Sequence, residues 1–590
     1  MNYRSLRIPT GLYADGSSVT VGRCHECKQL AYRRGTAEEP DYDAVIIGAG
    51  FSGLYQLHRL RDELGVSVRI LEKADDVGGT WYWNRYPGAR CDSESHIYCY
   101  SFNDDLLEEW EWSERYPEQP EVLEYLRFAA DRLDLRRDIE FGTEVTAAAF
   151  DEDAGRWEID TDDGSRVSSQ FLVTAVGCLS EPYVPDFEGI DSFEGESYHT
   201  GRWPHEPVSF EGKRVAVIGT GATGIQIIPE IAETDVEGLT VFQRTPNYAV
   251  PARNRPLGDE DWTEIQANYD EILAEAHDSG FGFPFRVRRE TAADLSMEEV
   301  EEYLEPRWKE GGFRFLVAFE DLTVNPDTNE KVSQFLRGKI REAVDDPGVA
   351  EKLVPTDHYY ATKRPPLHTD YYDTYNKDHV SLVDVTETPV ERITPEGIRT
   401  TDASHDFDTI VYATGFDAMT GTLLQIDIQG TDGLTLEEKW ADGPQTYLGL
   451  SAHGFPNMFT ITGPQSPSVL SNMPVSIEHH VKWVSDAIEY LVDNDIRLIE
   501  PTKEAEVAWT AHNREVAGGT LYTTVDSWYM NENIPGKPTV FTPYPGGVDA
   551  YHDIILEVAG KDYEGFELTE SLGDLGRTGT RPNLSVMESD

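Results

Sequence analysis

The sequence predicts an α/β fold with two Rossmann-like dinucleotide-binding domains and a helical insertion. One pattern, an apolar strand that enters a glycine-rich turn and then a helix, occurs at residues 43–60 and again at 214–231. Residues 255–360 break this alternation, because their apolar side chains recur at helical intervals. A single Gly-x-Gly-x-x-Gly turn is a weak signal, whereas two copies in the same strand and helix context predict two nucleotide sites.

The order of the expected segments is set by these patterns and by a shift in charge near the start. Residues 1–36 carry six Arg or Lys and only two acidic residues, the reverse of the balance in the rest of the chain, which indicates a leader that we expect to be poorly ordered. The expected segments are a leader at 1–40, the first dinucleotide domain at 41–175 and 409–574, the second domain with a linker motif at 176–254 and 361–408, the helical insertion at 255–360, and a polar tail at 575–590.

The charge balance of the 590-residue chain is strongly acidic, with 108 Asp and Glu against 50 Lys and Arg and a net charge of -58. Such a surface repels nucleic acid and anionic membranes, so neither is expected as a partner. No run of about 18 apolar residues predicts a membrane span, and no apolar export stretch opens the sequence. The acidic surface also repels itself in dilute salt, whereas salt near 1 M shortens the screening length to about 3 Å and removes most of this repulsion. The composition therefore favours a protein that works in a high-salt cytoplasm.

The five cysteines are an odd number scattered along the chain, which gives no disulfide framework. Cys24 and Cys27 form a Cys-x-x-Cys pair, a spacing that occurs in redox sites and zinc sites. The pair lacks a second pair at a suitable spacing and precedes the first predicted strand. We therefore interpret it as incidental, and no metal is expected.

The first glycine turn, residues 48–53 (GAGFSG), comes directly after the apolar run 43–47. Its glycines permit a tight turn and let the N-terminus of the next helix approach a pyrophosphate. The following strand, 68–71, ends at Glu72, a carboxylate placed to accept hydrogen bonds from ribose hydroxyls. This arrangement is typical of an FAD site.

The second turn, residues 219–224 (GTGATG), comes directly after the apolar run 214–218. The next strand, 239–242, runs into Gln243 and Arg244, with no acidic residue at its tip. An arginine at this position can pair with the 2′-phosphate of a nicotinamide dinucleotide. The second site is therefore predicted to bind NADPH rather than NADH.

Further motifs lie between and beyond the two turns. They are 79–92 (GTWYWNRYPGARCD), 193–204 (FEGESYHTGRWP, which fits FxGxxxHxxxWP without a gap), 242–247 (FQRTPN), 363–366 (KRPP), 413–417 (ATGFD) and 466–473 (SPSVLSNM). With these motifs the chain resembles the Baeyer-Villiger monooxygenases of the class B flavoproteins from about residue 42 to residue 570. Within that family, the phenylacetone monooxygenase type is the expected nearest relative.

The resemblance implies a reaction. In the family, NADPH reduces FAD, the reduced flavin captures O2 as a flavin peroxide, and that anion attacks a ketone carbonyl to give an ester or lactone, water and NADP+. Arg364 occupies the family position of the cation that holds the peroxide and the oxyanion, and Asp92 that of the carboxylate which orients it. A guanidinium suits this role because it stays protonated and offers a planar fork of donors where negative charge develops. Lys363 and Arg244 would bind the NADPH phosphate.

The two turns and the resemblance together define the candidate site. Arg364 and Asp92 are the predicted catalytic residues, and His199 and Trp203 belong to the interdomain linker. Trp528 occupies the family's lid position, followed at Asn531 by a departure from the usual Gly that is compatible with a positive φ. The predicted cofactor-binding residues are Gly48, Gly50, Phe51, Ser52, Gly53, Glu72, Gly79, Thr80, Trp81, Asp92, Tyr98, Gly219, Thr220, Gly221, Thr223, Gly224, Arg244, Thr245, Lys363 and Met473.

Three alternatives remain open at this point. A class B monooxygenase that oxidises nitrogen or sulfur shares both nucleotide sites but does not need Arg364. A disulfide reductase would need a Cys-x-x-Cys pair near the flavin, whereas Cys24 and Cys27 precede the flavin strand and Cys91 and Cys99 have the wrong spacing. A flavin-binding redox sensor without turnover would show no substrate-stimulated consumption of NADPH.

The expected partners are a small-molecule ketone and O2, and the expected assembly is a monomer or weak oligomer. The sequence does not name the ketone, because the pocket depends on loops around Met473 and on the helical insertion.

Overall fold

The computed structural model describes residues 39–570 except positions 286 and 288. The expected leader, apart from its last two residues, the Cys24 and Cys27 pair and the polar tail lie outside the described residues. The strands are β1 Tyr42–Ile47, β2 Val68–Glu72, β3 Ile139–Phe141, β4 Val145–Asp151, β5 Arg156–Thr161, β6 Arg166–Thr174, β7 Glu196–His199, β8 Arg214–Ile218, β9 Gly238–Gln243, β10 Val250–Pro251, β11 Leu367–His368, β12 Val380–Asp384, β13 Val390–Thr394, β14 Gly397–Thr400, β15 Ser404–Asp406, β16 Thr409–Tyr412, β17 Asp427–Gln429, β18 Met458–Thr460, β19 Leu498–Pro501 and β20 Phe566–Thr569.

The helices include long amphipathic segments and several single turns. They are α1 Phe51–His58, α2 Thr80–Trp83, α3 Asp104–Glu109, α4 Gln119–Arg132, α5 Ala222–Glu233, α6 Asp259–Ala267, α7 Tyr269–His277, α8 Met297–Glu310, α9 Pro326–Ala343, α10 Pro347–Leu353, α11 Tyr371–Thr374, α12 Gly421–Leu424, α13 Leu436–Lys439, α14 Met473–Asp493, α15 Lys503–Gly518 and α16 Val548–Gly560. None of the helices in the described part of the chain is both long enough and apolar enough to span a bilayer.

The first domain is built on an eight-stranded sheet in the order β17-β4-β5-β6-β1-β2-β3, with β18 paired to β6. β1 lies between two parallel neighbours, β2 and β6, and its last four residues are buried. An apolar run of this kind is typical of a strand that is covered on both faces. The predicted strands of this domain are confirmed, and α14 contains the predicted helix at 477–491. The sequence patterns did not indicate the antiparallel strands β4, β5 and β6.

The second domain is built on a five-stranded parallel sheet in the order β12-β9-β8-β16-β7. β16, Thr409–Tyr412, pairs with β8 on one side and with β7 on the other. The expected domain boundary between 408 and 409 is therefore wrong by one strand. All four residues of β16 are buried, so the strand completes this sheet before the chain returns to the first domain.

The insertion at 255–360 contains helices α6 to α10 and no strand among its described residues. Its two ends meet, because β10 and β11 pair in parallel on either side of it. The longest helix, α9, begins where the Asn325 side chain accepts a hydrogen bond from the backbone N–H of Asp327, and it buries Val332, Leu336 and Ile340 along one face. The core of the insertion also takes in Tyr116 from the first domain, which joins the two units.

Candidate active site

A cavity of about 1260 Å³ is lined by both glycine turns and by residues of both domains. The predicted site residues that line it are Gly48, Gly50, Phe51, Ser52, Glu72, Gly79, Thr80, Trp81, Asp92, Tyr98, Gly219, Thr220, Gly221, Thr223, Arg244, Thr245, Lys363, Arg364, Met473 and Trp528. Gly53, Gly224, His199 and Trp203 do not line it.

The first turn is fixed by close approaches that exclude any side chain. Gly48 has φ +103°, and a Cβ there would lie 2.6 Å from the carbonyl oxygen of Ala175. A Cβ at Gly53 would lie 1.9 Å from the Gly48 carbonyl oxygen. The helix backbone at Gly53 therefore packs directly against the turn. Gly79, also at positive φ, crosses Gly50 so closely that a Cβ on Gly79 would lie 3.0 Å from the Gly50 Cα.

Glu72 at the tip of β2 is 4% exposed. Its Oε2 accepts a hydrogen bond from the Ala49 N–H at 2.6 Å, and its Oε1 accepts one from the Ala74 N–H at 2.8 Å. Burial raises the pKa of this carboxyl, and the two N–H donors act against that rise. A carboxylate at this edge of the cavity, next to a helix N-terminus that admits a pyrophosphate, fits an FAD dinucleotide.

The second turn has the same backbone geometry. Gly219 has φ +111°, and a Cβ there would lie 2.4 Å from the Ala413 carbonyl oxygen. A Cβ at Gly224 would lie 2.3 Å from the Gly219 carbonyl oxygen. Gly221 faces open space, whereas Gly50, its counterpart in the first turn, lies against Gly79.

Two cations border the second turn on the cavity wall, the exposed Arg244 and the partly buried Lys363. Burial lowers the pKa of Lys363, Asp357 acts against this, and the nearby Arg244 lowers it further. No ion pair joins Arg244 to another described residue. This pair of cations, with no carboxylate at the tip of β9, fits a 2′-phosphate and therefore NADPH.

Arg364 and Asp92 meet in the same cavity. Nη2 of Arg364 donates to both carboxylate oxygens of Asp92, at 2.9 and 2.8 Å, and Nη1 donates to the Val469 carbonyl at 3.1 Å. The ring of Phe313 lies beneath the guanidinium, with its centroid 5.0 Å from Cζ. Burial alone would lower the pKa of Arg364, but Asp92 outweighs it and the pKa lies above its ordinary value. The arginine is a fixed, permanently charged donor.

Comparison with known proteins places the chain in a family. The model of the flavin-binding monooxygenase-like family matches residues 43–248. A Baeyer-Villiger monooxygenase from Pseudooceanicola batsensis is 44% identical over 89% of this chain and 95% of its own length. The chain belongs to the Baeyer-Villiger monooxygenases.

Two further relatives of this monooxygenase bear on its chemistry. A solved structure of OTEMO in complex with FAD and NADP is 44% identical, has a TM-score of 0.87, and is matched over 90% of this chain and 100% of its own. A phenazine N-monooxygenase from Lysobacter antibioticus is 44% identical over 90% of this chain and 98% of its own length. As a family member, this monooxygenase is an oxidoreductase that uses FAD and NADPH. A nearest relationship to the phenylacetone monooxygenase type stays a prediction.

Of the two predicted linker residues, His199 is partly buried and Trp203 is buried. His199 Nδ1 accepts a hydrogen bond from the Gly201 N–H at 3.0 Å, and Nε2 lies 3.4 Å from the Thr414 hydroxyl. Burial lowers the pKa of His199 to about 4. Trp203 is 6% exposed and packs against Tyr198. These contacts suit a structural or positioning role, because neither side chain reaches the cavity.

Asn531, in the predicted lid segment, adopts a left-handed backbone conformation. This residue comes after the helical turn Trp528–Met530 with φ +62°, and its side chain donates to the Pro538 carbonyl at 3.3 Å. The prediction that Asn531 accepts positive φ is confirmed. Trp528 lines the cavity and packs against Tyr529.

Sequence reasoning missed Phe313 and the Val469 carbonyl, both of which contact Arg364. The adjacent glycines Gly311 and Gly312, both at positive φ, place Phe313 in a tight turn of the insertion. A glycine pair before an aromatic residue inside a helical region was a usable signal for such a turn. The three cysteines in the described residues, Cys91, Cys99 and Cys178, are buried and free.

Proposed function

We propose that this monooxygenase inserts one atom of O2 beside the carbonyl of a small-molecule ketone, with Arg364 as the catalytic cation. The products are an ester or lactone, water and NADP+. The observation that carries the proposal is the position of the Arg364 and Asp92 pair in the cavity that both glycine turns line. Bound FAD, reduced by NADPH, supplies the activation of O2.

Arg364 would act through its positive charge and through the fixed orientation of its guanidinium group. Oxygen insertion at a carbonyl places negative charge on the carbonyl oxygen, and a preorganised cation stabilises that charge most strongly in a site that excludes water. Asp92 holds one terminal nitrogen, the Val469 carbonyl holds the other, and Phe313 covers one face. The guanidinium therefore needs no reorganisation when the charge develops.

The nucleotide-binding roles are assigned from the same cavity. Arg244 and Lys363 would contact the 2′-phosphate, which only NADPH carries. Glu72 would accept hydrogen bonds from the ribose of FAD, and Ala49 and Ala74 fix its orientation. Tyr98 accepts a hydrogen bond from the Trp81 indole N–H at 3.3 Å, so both rings are held on the wall of the flavin site.

Oxidation of a nitrogen atom is the second candidate, because one relative of similar identity is a phenazine N-monooxygenase. A nitrogen lone pair takes up oxygen without forming a tetrahedral oxyanion at carbon, so this reaction does not need Arg364 as an anion holder. A panel of cyclic, linear and aromatic ketones together with aromatic nitrogen heterocycles, scored by mass spectrometry for ester and N-oxide, separates the two.

The decisive variant is Arg364→Ala. We expect NADPH still to reduce the flavin, while ester formation falls by about 10² or more, the usual scale for losing one such donor. Arg364→Lys should recover little, because a point charge on a flexible stem does not replace the planar fork. Stopped-flow reduction and product analysis measure the two half-reactions separately.

A matched control is Arg166→Ala, which removes an exposed arginine that pairs with both oxygens of Asp160 and does not line the cavity. It should leave both half-reactions unchanged. Ester formation at near wild-type rate in Arg364→Ala would disprove the assigned role of Arg364, although the two nucleotide sites would stand.

The assembly and the cellular setting are part of the proposal. We propose a monomer or weak oligomer, which light scattering across a protein concentration series tests. We also propose a high-salt cytoplasm as its setting, on the basis of the net charge of -58.

A further inference from the structure

A buried carboxylate, Glu94, lies two residues beyond Asp92. Its side chain is 5% exposed, and its Oε1 accepts a hydrogen bond from Arg115 Nη2 at 2.7 Å. The same oxygen lies 3.4 Å from both Nε and Nη2 of Arg314, and His96 Nε2 lies 3.9 Å from Oε2. One carboxylate therefore joins two guanidinium groups from different parts of the chain.

Arg314 belongs to the turn that supports the catalytic cation. Its neighbour Phe313 is 4% exposed and lies beneath Arg364. The Arg314 guanidinium also covers the ring of Phe285 at 4.7 Å and pairs with Glu310 at 3.1 Å. A displacement of Arg314 would therefore move the ring on which Arg364 rests.

Arg115 belongs to the segment that pairs with the chain around Asp92. The Ser95 N–H donates to the Arg115 carbonyl at 2.8 Å, and the Cys91 N–H donates to the Pro117 carbonyl at 2.9 Å. Asp92 is thus held in a short stretch of backbone that is fixed at both ends.

The turn that carries Phe313 fits closely against this segment. Gly312 has φ +72°, and a Cβ there would lie 2.1 Å from the Tyr116 hydroxyl oxygen. The close approach at Gly312 brings the insertion near enough for Arg314 to reach Glu94.

We propose that Glu94 is a positioning residue for oxygen insertion, because it ties the segment of Asp92 to the turn of Phe313 and so fixes Arg364 from its edge and from its face. This inference rests on the proposed function of Arg364. Burial tends to raise the pKa of Glu94, but Arg115, Arg314 and His96 hold it below its ordinary value. Glu94 is therefore charged at neutral pH, and its removal would leave the partly buried guanidinium groups of Arg115 and Arg314 without their shared partner.

The test compares Glu94→Gln with Arg314→Met, which removes the contact between Glu94 and Arg314 but leaves Arg115 paired with Glu94. We expect both variants to keep the flavin and to be reduced by NADPH within about twofold of the wild-type rate. Ester formed per NADPH consumed should fall roughly fivefold or more, with hydrogen peroxide accounting for the rest of the O2, because a small misplacement of a catalytic group is costly. Glu506→Gln is the matched control, since Glu506 is equally buried and pairs with Lys439 away from the cavity wall.

Two further measurements separate positioning from a general loss of structure. In an Arg364→Ala background, Glu94→Gln should change the ester yield by less than about twofold, because its effect passes through Arg364. In urea unfolding of the holoenzyme, Glu94→Gln and Phe313→Leu should be non-additive, because both act on the contact between the Asp92 segment and the Phe313 turn.

Full ester yield in both Glu94→Gln and Arg314→Met would overturn the proposal, as would an undiminished effect of Glu94→Gln in the Arg364→Ala background. Additive unfolding energies would also overturn it. If Glu94→Gln does not fold, Arg314→Met decides alone. If Arg364→Ala keeps its ester yield, the assignment of Arg364 fails instead, and the contact between the Asp92 segment and the Phe313 turn no longer bears on oxygen insertion.

Discussion

The two glycine turns share a backbone design but differ in how far the rest of the protein encloses them. Gly48 and Gly219 have φ values of +103° and +111°, and in each turn a Cβ would collide with a carbonyl oxygen of the neighbouring strand end. Gly50 is covered by Gly79, however, whereas Gly221 faces open space. A turn covered on its outer side suits a nucleotide that stays bound, and an open turn suits one that exchanges in each catalytic cycle.

The residues at the strand tips extend the contrast. Glu72 is buried and held by two backbone N–H groups, so it forms part of the wall of the proposed flavin site. Arg244 is exposed at the corresponding place. The strand-tip residue of the first site is therefore fixed by the protein itself, whereas the strand-tip residue of the second site is exposed and free to contact a ligand.

The largest expected difference concerns Gly48→Ala and Gly219→Ala. Each places a Cβ within 2.6 Å of a carbonyl oxygen at a positive φ, so each turn must shift. Gly48→Ala should purify with roughly a tenth of the wild-type flavin or less, whereas Gly219→Ala should keep its flavin and show a KM for NADPH raised by roughly tenfold or more. Flavin absorbance per protein and steady-state kinetics measure the two effects. Equal loss of flavin in both variants would refute the contrast between a permanent and an exchangeable site.

A smaller effect is expected for Arg244→Ala. Loss of a charged hydrogen bond to the 2′-phosphate, worth about 1.5 to 3 kcal/mol, should lower kcat/KM for NADPH by roughly 10- to 100-fold and leave that for NADH unchanged. Glu72→Gln is the comparison, because it should weaken flavin binding without altering the preference between the two nicotinamides. An unchanged NADPH to NADH ratio in Arg244→Ala would remove the phosphate-binding role.

The contrast between the turns also marks what the sequence could and could not predict. The strand, turn and helix of each site were predictable because glycine spacing and apolar runs are local patterns. The crossing of Gly79 over Gly50 was not, since it depends on how a loop about 30 residues along the chain folds back. Phe313 beneath Arg364 was missed for the same reason, because a helical pattern does not indicate which turn of an insertion reaches another domain.

The domain boundary at β16 is a further example. Thr409–Tyr412 reads as a buried parallel strand in the sequence, and such a strand fits either sheet equally well. Only pairing with β7 and β8 assigns it to the second domain. The type of element was thus predictable, whereas its partners depended on long-range contacts.

The smallest expected effect is the salt dependence of nucleotide binding at the two sites. KCl from 0.1 M to 1 M shortens the screening length from about 10 Å to about 3 Å, so contacts of exposed charges weaken while buried contacts persist. We expect the KM for NADPH to rise severalfold through Arg244 and Lys363 while the flavin content stays constant, and in Arg244→Ala the rise should be smaller. Over the same range the thermal midpoint should increase, because screening relieves the self-repulsion of a chain with a net charge of -58. A flat or falling midpoint would contradict the high-salt setting, and loss of flavin at constant KM for NADPH would reverse the assignment of the covered and open turns.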